Sequence, residues 1–145
     1  MSIKILVCDD QAAARAVVLD ILKSFPELEV VGQADGGNRA VVLSDLLRPE
    51  VVLMDILMPD LNGIEATRQI VATTGGVKVV ALSMHSDSRY VRAVLRAGAS
   101  GYVLKSCAYE ELVGAIRTVV AGETYLSPGL ELAAPARPLP AVLTP

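Results

Sequence analysis

Five polar side chains stand where apolar, strand-like segments of the sequence end, and their types indicate one kind of chemistry. Two carboxylates follow the first segment, one follows the third, and a hydroxyl and an amine follow the fourth and fifth: Asp9, Asp10, Asp55, Ser83 and Lys105. Carboxylates that share a pocket repel one another unless they bind protons or a hard cation bridges them. Oxygen ligands without thiolate or imidazole suit Mg²⁺, which keeps several waters and binds a phosphate beside a few carboxylates.

Each residue type has a role in such a site. Asp55, the central carboxylate, is the candidate nucleophile of aspartyl-phosphate chemistry. Lys105, a compact charge on a long stem, can pair with Asp55 at rest and with phosphoryl oxygens after transfer. The Ser83 hydroxyl can donate a hydrogen bond to the same phosphoryl group. Any one of these residues alone has a simple structural explanation, as Asp10 does in capping a helix. The hypothesis therefore rests on their joint placement.

Short apolar runs alternate with amphipathic segments, and this alternation predicts the elements that bring the five residues together. We predict strands over 3–7, 28–34, 51–54, 77–82 and 101–104, and helices over 12–24, 39–47, 64–74, 87–97 and 109–121. Strands that alternate with helices form a parallel sheet covered on both faces. Right-handed crossovers then predict a doubly wound, flavodoxin-like α/β fold with five helices and five strands in the order 2-1-3-4-5. Ligands of this fold class bind beyond the carboxyl ends of the strands.

Composition narrows the class of protein. The chain has 145 residues, a net charge of −3 and 3% aromatic residues, which predicts one domain with an aliphatic core. The charge argues against a nucleic-acid-binding surface, which needs clustered Lys and Arg. Two cysteines are too few for a disulfide scaffold. With no signal-peptide layout and no apolar stretch near the roughly 18 residues of a membrane span, we expect a soluble, cytoplasmic protein without a membrane partner.

The character of the sequence changes near its C terminus. Residues 133–145 are rich in proline and lack periodicity, which is typical of a linker. We therefore predict one domain over residues 1–127 and a Pro-rich linker over 128–145.

Over residues 3–126 the chain resembles the receiver domains of response regulators. It carries the family's residues in the family's order and spacing: Asp9-Asp10, Asp55, the Met58-Pro59-x-x-Asn62-Gly63 loop, Ser83 and Lys105. The resemblance implies that Asp55 is the phosphoacceptor and that Ser83 and Lys105 contact the phosphoryl group. It also implies a Mg²⁺ ion held by Asp9, Asp10, Asp55 and the backbone carbonyl of Leu57. Tyr102 matches the family's rotating aromatic switch, which is expected to turn inward on phosphorylation.

Two further segments resemble the NarL/FixJ regulators, whose output is a LuxR-type helix-turn-helix domain that binds DNA. They are Leu104-Lys105-Ser106 and the segment from Ala121 to Pro128. This resemblance implies a transcriptional regulator, phosphorylated by a sensor histidine kinase, with its DNA-binding domain missing after the linker. A homodimer is expected on phosphorylation. Relatives use either the first and fifth helices or the fourth helix, fifth strand and fifth helix, and both surfaces stay open.

Other functional classes fit the residues less well. An aspartyl-phosphate phosphatase favours a second aspartate two residues after the nucleophile, and this chain has Leu57 there, which favours a switch over an enzyme. A flavin carrier on the same fold would need a Ser/Thr-rich first loop to bind phosphate, and this chain lacks such a loop. A triad of Ser83, His85 and Asp87 lacks the Gly-x-Ser-x-Gly elbow, so we expect His85 to be a loop residue beside the site.

Overall fold

A computed structural model describes residues 2–107 and 109–130 of the chain. Its strands are β1 (Ile3–Cys8), β2 (Leu28–Ala34), β3 (Val51–Met54), β4 (Lys78–Ser83), β5 (Gly101–Leu104) and β6 (Tyr125–Leu126). Its helices are α1 (Ala12–Lys23), α2 (Gly37–Leu47), α3 (Gly63–Thr73), α4 (Ser88–Arg96) and α5 (Tyr109–Val120). The boundaries of the ten predicted elements all lie within two residues of these. Residues 131–145, which hold most of the predicted linker, lie outside the described residues.

All six strands pair in parallel in one sheet with the order β2-β1-β3-β4-β5-β6. The predicted doubly wound class and the order of the first five strands are confirmed. The expectation of five strands is wrong by one, because Tyr125 and Leu126 pair with Gly101 and Tyr102. A two-residue strand is too short to show the alternation by which strands are recognised in a sequence.

Successive residues of the inner strands point to opposite faces of the sheet and enter two separate apolar clusters. On β1, Leu6 and Cys8 join the cluster that α2, α3 and α4 cover. Ile5 and Val7 join the cluster beneath α1 and α5. Because both faces are buried, the inner strands are apolar along their central residues, and polar side chains stand at their ends, with Lys4 and Lys78 near the amino ends and the residues of the site at the carboxyl ends. Among the described residues, no helix combines the length and the apolar character that crossing a membrane requires.

The short strand β6 is held against β5 by the residue that follows it. The backbone N–H of Ser127 donates to the Tyr102 carbonyl at 2.9 Å. Its hydroxyl oxygen accepts from the Leu104 N–H at 3.0 Å, and its O–H donates to the carboxylate of Glu111 on α5. Ser127 is buried, so these hydrogen bonds fasten the end of the domain to the strand that leads to Lys105.

Candidate functional site

Three carboxylates meet where β1 and β3 end. Cys8 pairs with Met54 in the ladder between these strands, and the Asp55 N–H donates to the Cys8 carbonyl at 3.0 Å, so Asp9 and Asp55 leave the sheet side by side. One carboxylate oxygen from each of Asp9, Asp10 and Asp55 lies within 4.8 Å of the others. Asp9 and Asp55 are buried, with 4% and 8% of their surface exposed. The structure therefore brings together the three acidic residues that the sequence places at strand ends.

Lys105 reaches this acidic cluster from the end of β5. Its Nζ donates to Asp9 Oδ2 at 2.8 Å and lies 3.6 Å from Asp55 Oδ1. The shorter contact is thus with Asp9, whereas the sequence predicts Asp55 as the resting partner. The backbone N–H of Lys105 donates to the Ser83 carbonyl at 2.8 Å, which fixes the base of the lysine beside β4. One ammonium group partly compensates three neighbouring carboxylates.

The electrostatics of Asp55 follow from this crowding. Burial raises the pKa of Asp55 to about 6, the positive charge of Lys105 opposes the rise, and the negative charges of Asp9 and Asp10 add to it. A carboxyl group with that pKa is mostly ionised at neutral pH. Asp55 is therefore a carboxylate that carries charge at a free-energy cost, and a cation in the cluster would relieve that cost.

The loop after Asp55 closes tightly at its base. The Gly63 N–H donates to the Ile56 carbonyl at 2.7 Å, and a Cβ atom on Gly63 would lie 2.0 Å from the Asp55 carbonyl oxygen. Only glycine fits this close approach of two backbone segments. Asn62 then begins α3 by accepting a hydrogen bond from the Glu65 N–H at 2.9 Å. Leu57, whose carbonyl the family resemblance implies as a cation ligand, lies inside this loop and is partly exposed.

Ser83 and Tyr102 are linked through the backbone of His85. The Ser83 hydroxyl oxygen accepts from the His85 N–H at 3.0 Å, and the Tyr102 hydroxyl donates to the His85 carbonyl at 2.6 Å. Both side chains are buried, and burial raises the pKa of Tyr102 to about 12, so its hydroxyl keeps the proton that it donates. Tyr102 lies inward in this structure, in the position expected of it after phosphorylation.

His85 lies in the loop between β4 and α4, beside the site. Its ring packs against Tyr90, with ring centroids 5.1 Å apart. The hydroxyl of Ser83 contacts the backbone of His85 rather than the imidazole, and Asp87 caps α4 by accepting from the Arg89 N–H. These contacts do not have the geometry of a catalytic triad, in which serine and carboxylate both bind the imidazole.

Two residues near the cluster carry no signal in the sequence. Arg15 donates from Nη1 to the backbone carbonyl of Asp9 at 2.7 Å, and the Gln11 N–H donates to Asp9 Oδ1 at 2.9 Å. Both contacts orient Asp9, whose other oxygen binds Lys105. The place of Arg15 on the first turns of the helix after Asp10 is the only feature of the sequence that could have indicated it.

Comparison with known proteins places this geometry in a family. The Response regulator receiver domain family matches residues 5–117. The chain is 44% identical over 126 residues to the transcriptional regulatory protein DegU of Brevibacillus brevis, covering 87% of this chain and 53% of DegU. Response regulator GacA of Pseudomonas aeruginosa is 41% identical over 126 residues, covering 87% of this chain and 59% of GacA. The chain thus spans somewhat more than half the length of these curated relatives.

A solved structure supports the same placement. The crystal structure of a LuxR-family two-component response regulator from Aurantimonas sp. SI85-9A1 superposes with a TM-score of 0.87 at 34% sequence identity. The superposition covers 92% of this chain and 96% of that one. Similarity therefore extends across almost all of the described fold.

Proposed function

This chain belongs to the response regulator receiver domain family, and on that premise we propose that it is a phosphorylation switch whose phosphoacceptor is Asp55. One observation carries the proposal: three carboxylates within 4.8 Å of one another face a single ammonium group at the carboxyl edge of the sheet. Such a cluster is costly for a domain that needs only to fold. Binding of a cation and a phosphoryl group would offset that free-energy cost.

The donor set fits Mg²⁺. Among the residues that the structure describes, the side chains grouped at the site offer carboxylate oxygens, which hard cations prefer. Mg²⁺ binds few of them because it keeps several waters. We propose Asp9, Asp10, Asp55 and the backbone carbonyl of Leu57 as its ligands. When bound, Mg²⁺ neutralises charge on the carboxylates and on the phosphoryl oxygens.

The transfer step uses the ionised carboxylate. An Asp55 oxygen forms a bond to phosphorus while the bond from phosphorus to a histidine nitrogen of a sensor kinase breaks, and the leaving nitrogen takes up a proton. Lys105 lies within 4 Å of both Asp9 and Asp55, so its ammonium group can move to a phosphoryl oxygen without leaving the acidic cluster. Burial keeps Asp55 away from bulk water, which strengthens these charge interactions.

The switch itself passes through Ser83. A hydroxyl group has one donor and two acceptor positions, so Ser83 can donate to a phosphoryl oxygen and still accept from the His85 N–H. Any movement of Ser83 toward the phosphoryl group then pulls on His85, whose carbonyl holds the Tyr102 hydroxyl. Tyr102 lies on β5, which pairs with the terminal strand β6 and contacts α4. We propose that this face, formed by α4, β5 and α5, is the surface that phosphorylation changes.

The residue at position 57 favours a switch over a phosphatase. A phosphatase that works through an aspartyl-phosphate needs an acid or base poised near the nucleophile. Leu57 stands two residues after Asp55 and offers only an apolar side chain, 37% exposed. We therefore propose that the chain catalyses its own phosphorylation and dephosphorylation and does not turn over a separate substrate.

The names of the relatives support a regulatory role in transcription. DegU is named a transcriptional regulatory protein, and this chain covers 53% of its length. We propose that this chain lies in the cytoplasm and receives its phosphoryl group from a sensor histidine kinase. We also propose that it forms a homodimer on phosphorylation and binds DNA through a LuxR-type output domain that follows a linker over 128–145.

The test is incubation with a small phosphodonor and Mg²⁺, followed by intact-mass measurement and assay of donor consumption. The proposal expects one phosphoryl group per chain, with donor consumption that stops once the protein is labelled. Continuous consumption of donor with little labelled protein would instead support the phosphatase.

A further inference from the structure

The loop that follows Asp55 is fastened to a second helix by Asp60. One carboxylate oxygen of Asp60 accepts from the Gly37 N–H at 3.0 Å, and the other accepts from the Asn38 N–H at 3.1 Å. These are the first N–H groups of α2, which the helix itself leaves unpaired. Gly36, at the capping position of α2, has no side chain to satisfy them. The cap of α2 is therefore supplied from the loop between β3 and α3.

Two glycines make room for this contact. A Cβ atom on Gly36 would lie 2.7 Å from the Asp60 carboxylate oxygens, and one on Gly37 would lie 2.1 Å from the Leu61 carbonyl oxygen. A side chain at Gly37 would require the loop to move, and a side chain at Gly36 would displace the Asp60 carboxylate. Partial desolvation raises the pKa of Asp60, but hydrogen bonds from the N–H groups of Asn38, Leu61 and Gly37 outweigh it, and the pKa lies below its ordinary value. The anionic carboxylate is thus the form that this contact holds.

The contact between Asp60 and α2 fixes the middle of the loop between β3 and α3. The pairing of Gly63 N–H with the Ile56 carbonyl closes the loop at its base, and residues 57–62 lie between these two points. Within this segment, the Asp60 side chain accepts hydrogen bonds from two N–H groups of α2. Without it, the segment from Leu57 onward would keep the packing of Met58 and Leu61 in the apolar cluster and the cap of Asn62 on α3, but it would lose its hydrogen bonds to α2.

We propose that Asp60 is a positioning residue for the cation site: by binding α2, it holds the loop so that the Leu57 carbonyl faces the acidic cluster. This inference rests on the proposed function, since it assumes that Mg²⁺ binds among Asp9, Asp10 and Asp55. Groups that orient metal ligands typically affect metal affinity by about 10- to 100-fold when they are removed. Asp60 acts through a backbone ligand, so we expect the lower end of that range.

A purely structural cap would behave differently. If Asp60 only stabilised α2, its loss would lower stability and leave the affinity of the folded protein for Mg²⁺ unchanged. Leu46→Gly is the matched control, because Leu46 lies on α2, is 70% exposed and is distant in sequence from the cap. Glycine weakens a helix at such a position without removing a contact to the loop.

The experiment is a Mg²⁺ titration of the wild type, Asp60→Ala, Asp60→Asn and Leu46→Gly, followed by backbone amide NMR, with a melting curve for each protein. Amide spectra report that each variant is folded, and the shifts of Asp9 and Ile56 report binding. We expect Asp60→Ala to weaken Mg²⁺ binding about tenfold. Asp60→Asn should lie between Asp60→Ala and the wild type, because an amide keeps one acceptor oxygen. Leu46→Gly should lower the melting temperature and keep the wild-type affinity.

Two results would overturn the inference. Equal Mg²⁺ affinity in folded Asp60→Ala and the wild type would show that the cap does not position a ligand. An equal loss of affinity in Leu46→Gly would show that the effect comes from weakening α2. Absence of binding by the wild type is a separate outcome, since it would remove the cation from the proposed function and this inference with it.

Discussion

Replacement of Asp55 by Asn should make the unliganded domain more stable at neutral pH. Burial, opposed by Lys105 and reinforced by Asp9 and Asp10, raises the pKa of Asp55 from 3.8 to about 6. The native state then binds this proton more tightly than the unfolded chain does, so stability is lost as the pH rises from about 4 to 6. At about 1.4 kcal/mol for each pH unit between the two values, the ionised carboxylate costs about 3 kcal/mol at pH 7. Asparagine keeps the shape and removes the charge.

The assay is urea unfolding followed by circular dichroism, with a chelator present, at several pH values. Asp55→Asn should exceed the wild type by about 3 kcal/mol at pH 7, and the difference should fall to about 1 kcal/mol near pH 4.5. Asp45→Asn is the control, because Asp45 is an exposed partner of Arg48 and such pairs contribute about 0–1 kcal/mol. Equal stability of Asp55→Asn and the wild type at pH 7 would refute the electrostatic reasoning, as would a difference that stays constant down to pH 4.5.

Four other outcomes follow from the same contacts. Mg²⁺ at 100 times its dissociation constant should stabilise the wild type by roughly 2.7 kcal/mol, and melting curves unchanged by Mg²⁺ at constant ionic strength would contradict the cation site. Gly63→Ala should cost about 1–3 kcal/mol and impair labelling of Asp55, because its Cβ would meet the Asp55 carbonyl; wild-type stability and labelling would count against this close approach. Ser127→Ala should cost about 1–3 kcal/mol, because the Leu104 N–H loses its acceptor; an unchanged urea midpoint would show that β6 contributes little. Ser83→Ala should still be labelled at Asp55 but should not self-associate when a phosphoryl mimic is added, as measured by light scattering, whereas mimic-induced dimers equal to those of the wild type would exclude Ser83 from the coupling.

The sheet and the grouping of the acidic residues could be predicted because both depend on patterns that the sequence displays. Continuous apolar strands such as Val51–Met54 indicate burial on both faces. Parallel strands then place all their carboxyl ends at one edge, so Asp9 and Asp55 had to meet once β1 and β3 were neighbours. The predicted position of the site therefore depended on the predicted order of these strands.

The contacts that could not be predicted are those made by the backbone or across distant loops. His85 links Ser83 to Tyr102 through its N–H and carbonyl, groups that every residue except proline has, so residue type gives no sign of the link. Asp60 caps α2 from 22 residues away in sequence, whereas capping patterns are recognised only next to a helix. That distant cap binds the N–H groups of Gly37 and Asn38, the two residues by which α2 precedes its predicted start.

The assignment of Asp55 is tested by the intact mass of the wild type and Asp55→Asn after treatment with a small phosphodonor, each with Mg²⁺ and with a chelator. The proposed switch predicts one phosphoryl group per chain in the wild type with Mg²⁺, mapped to the peptide that contains Asp55. It predicts little labelling with the chelator and none in Asp55→Asn, because an amide is a poor nucleophile. Stoichiometric labelling of Asp55→Asn in the presence of Mg²⁺ would contradict the assignment of Asp55 as the phosphoacceptor.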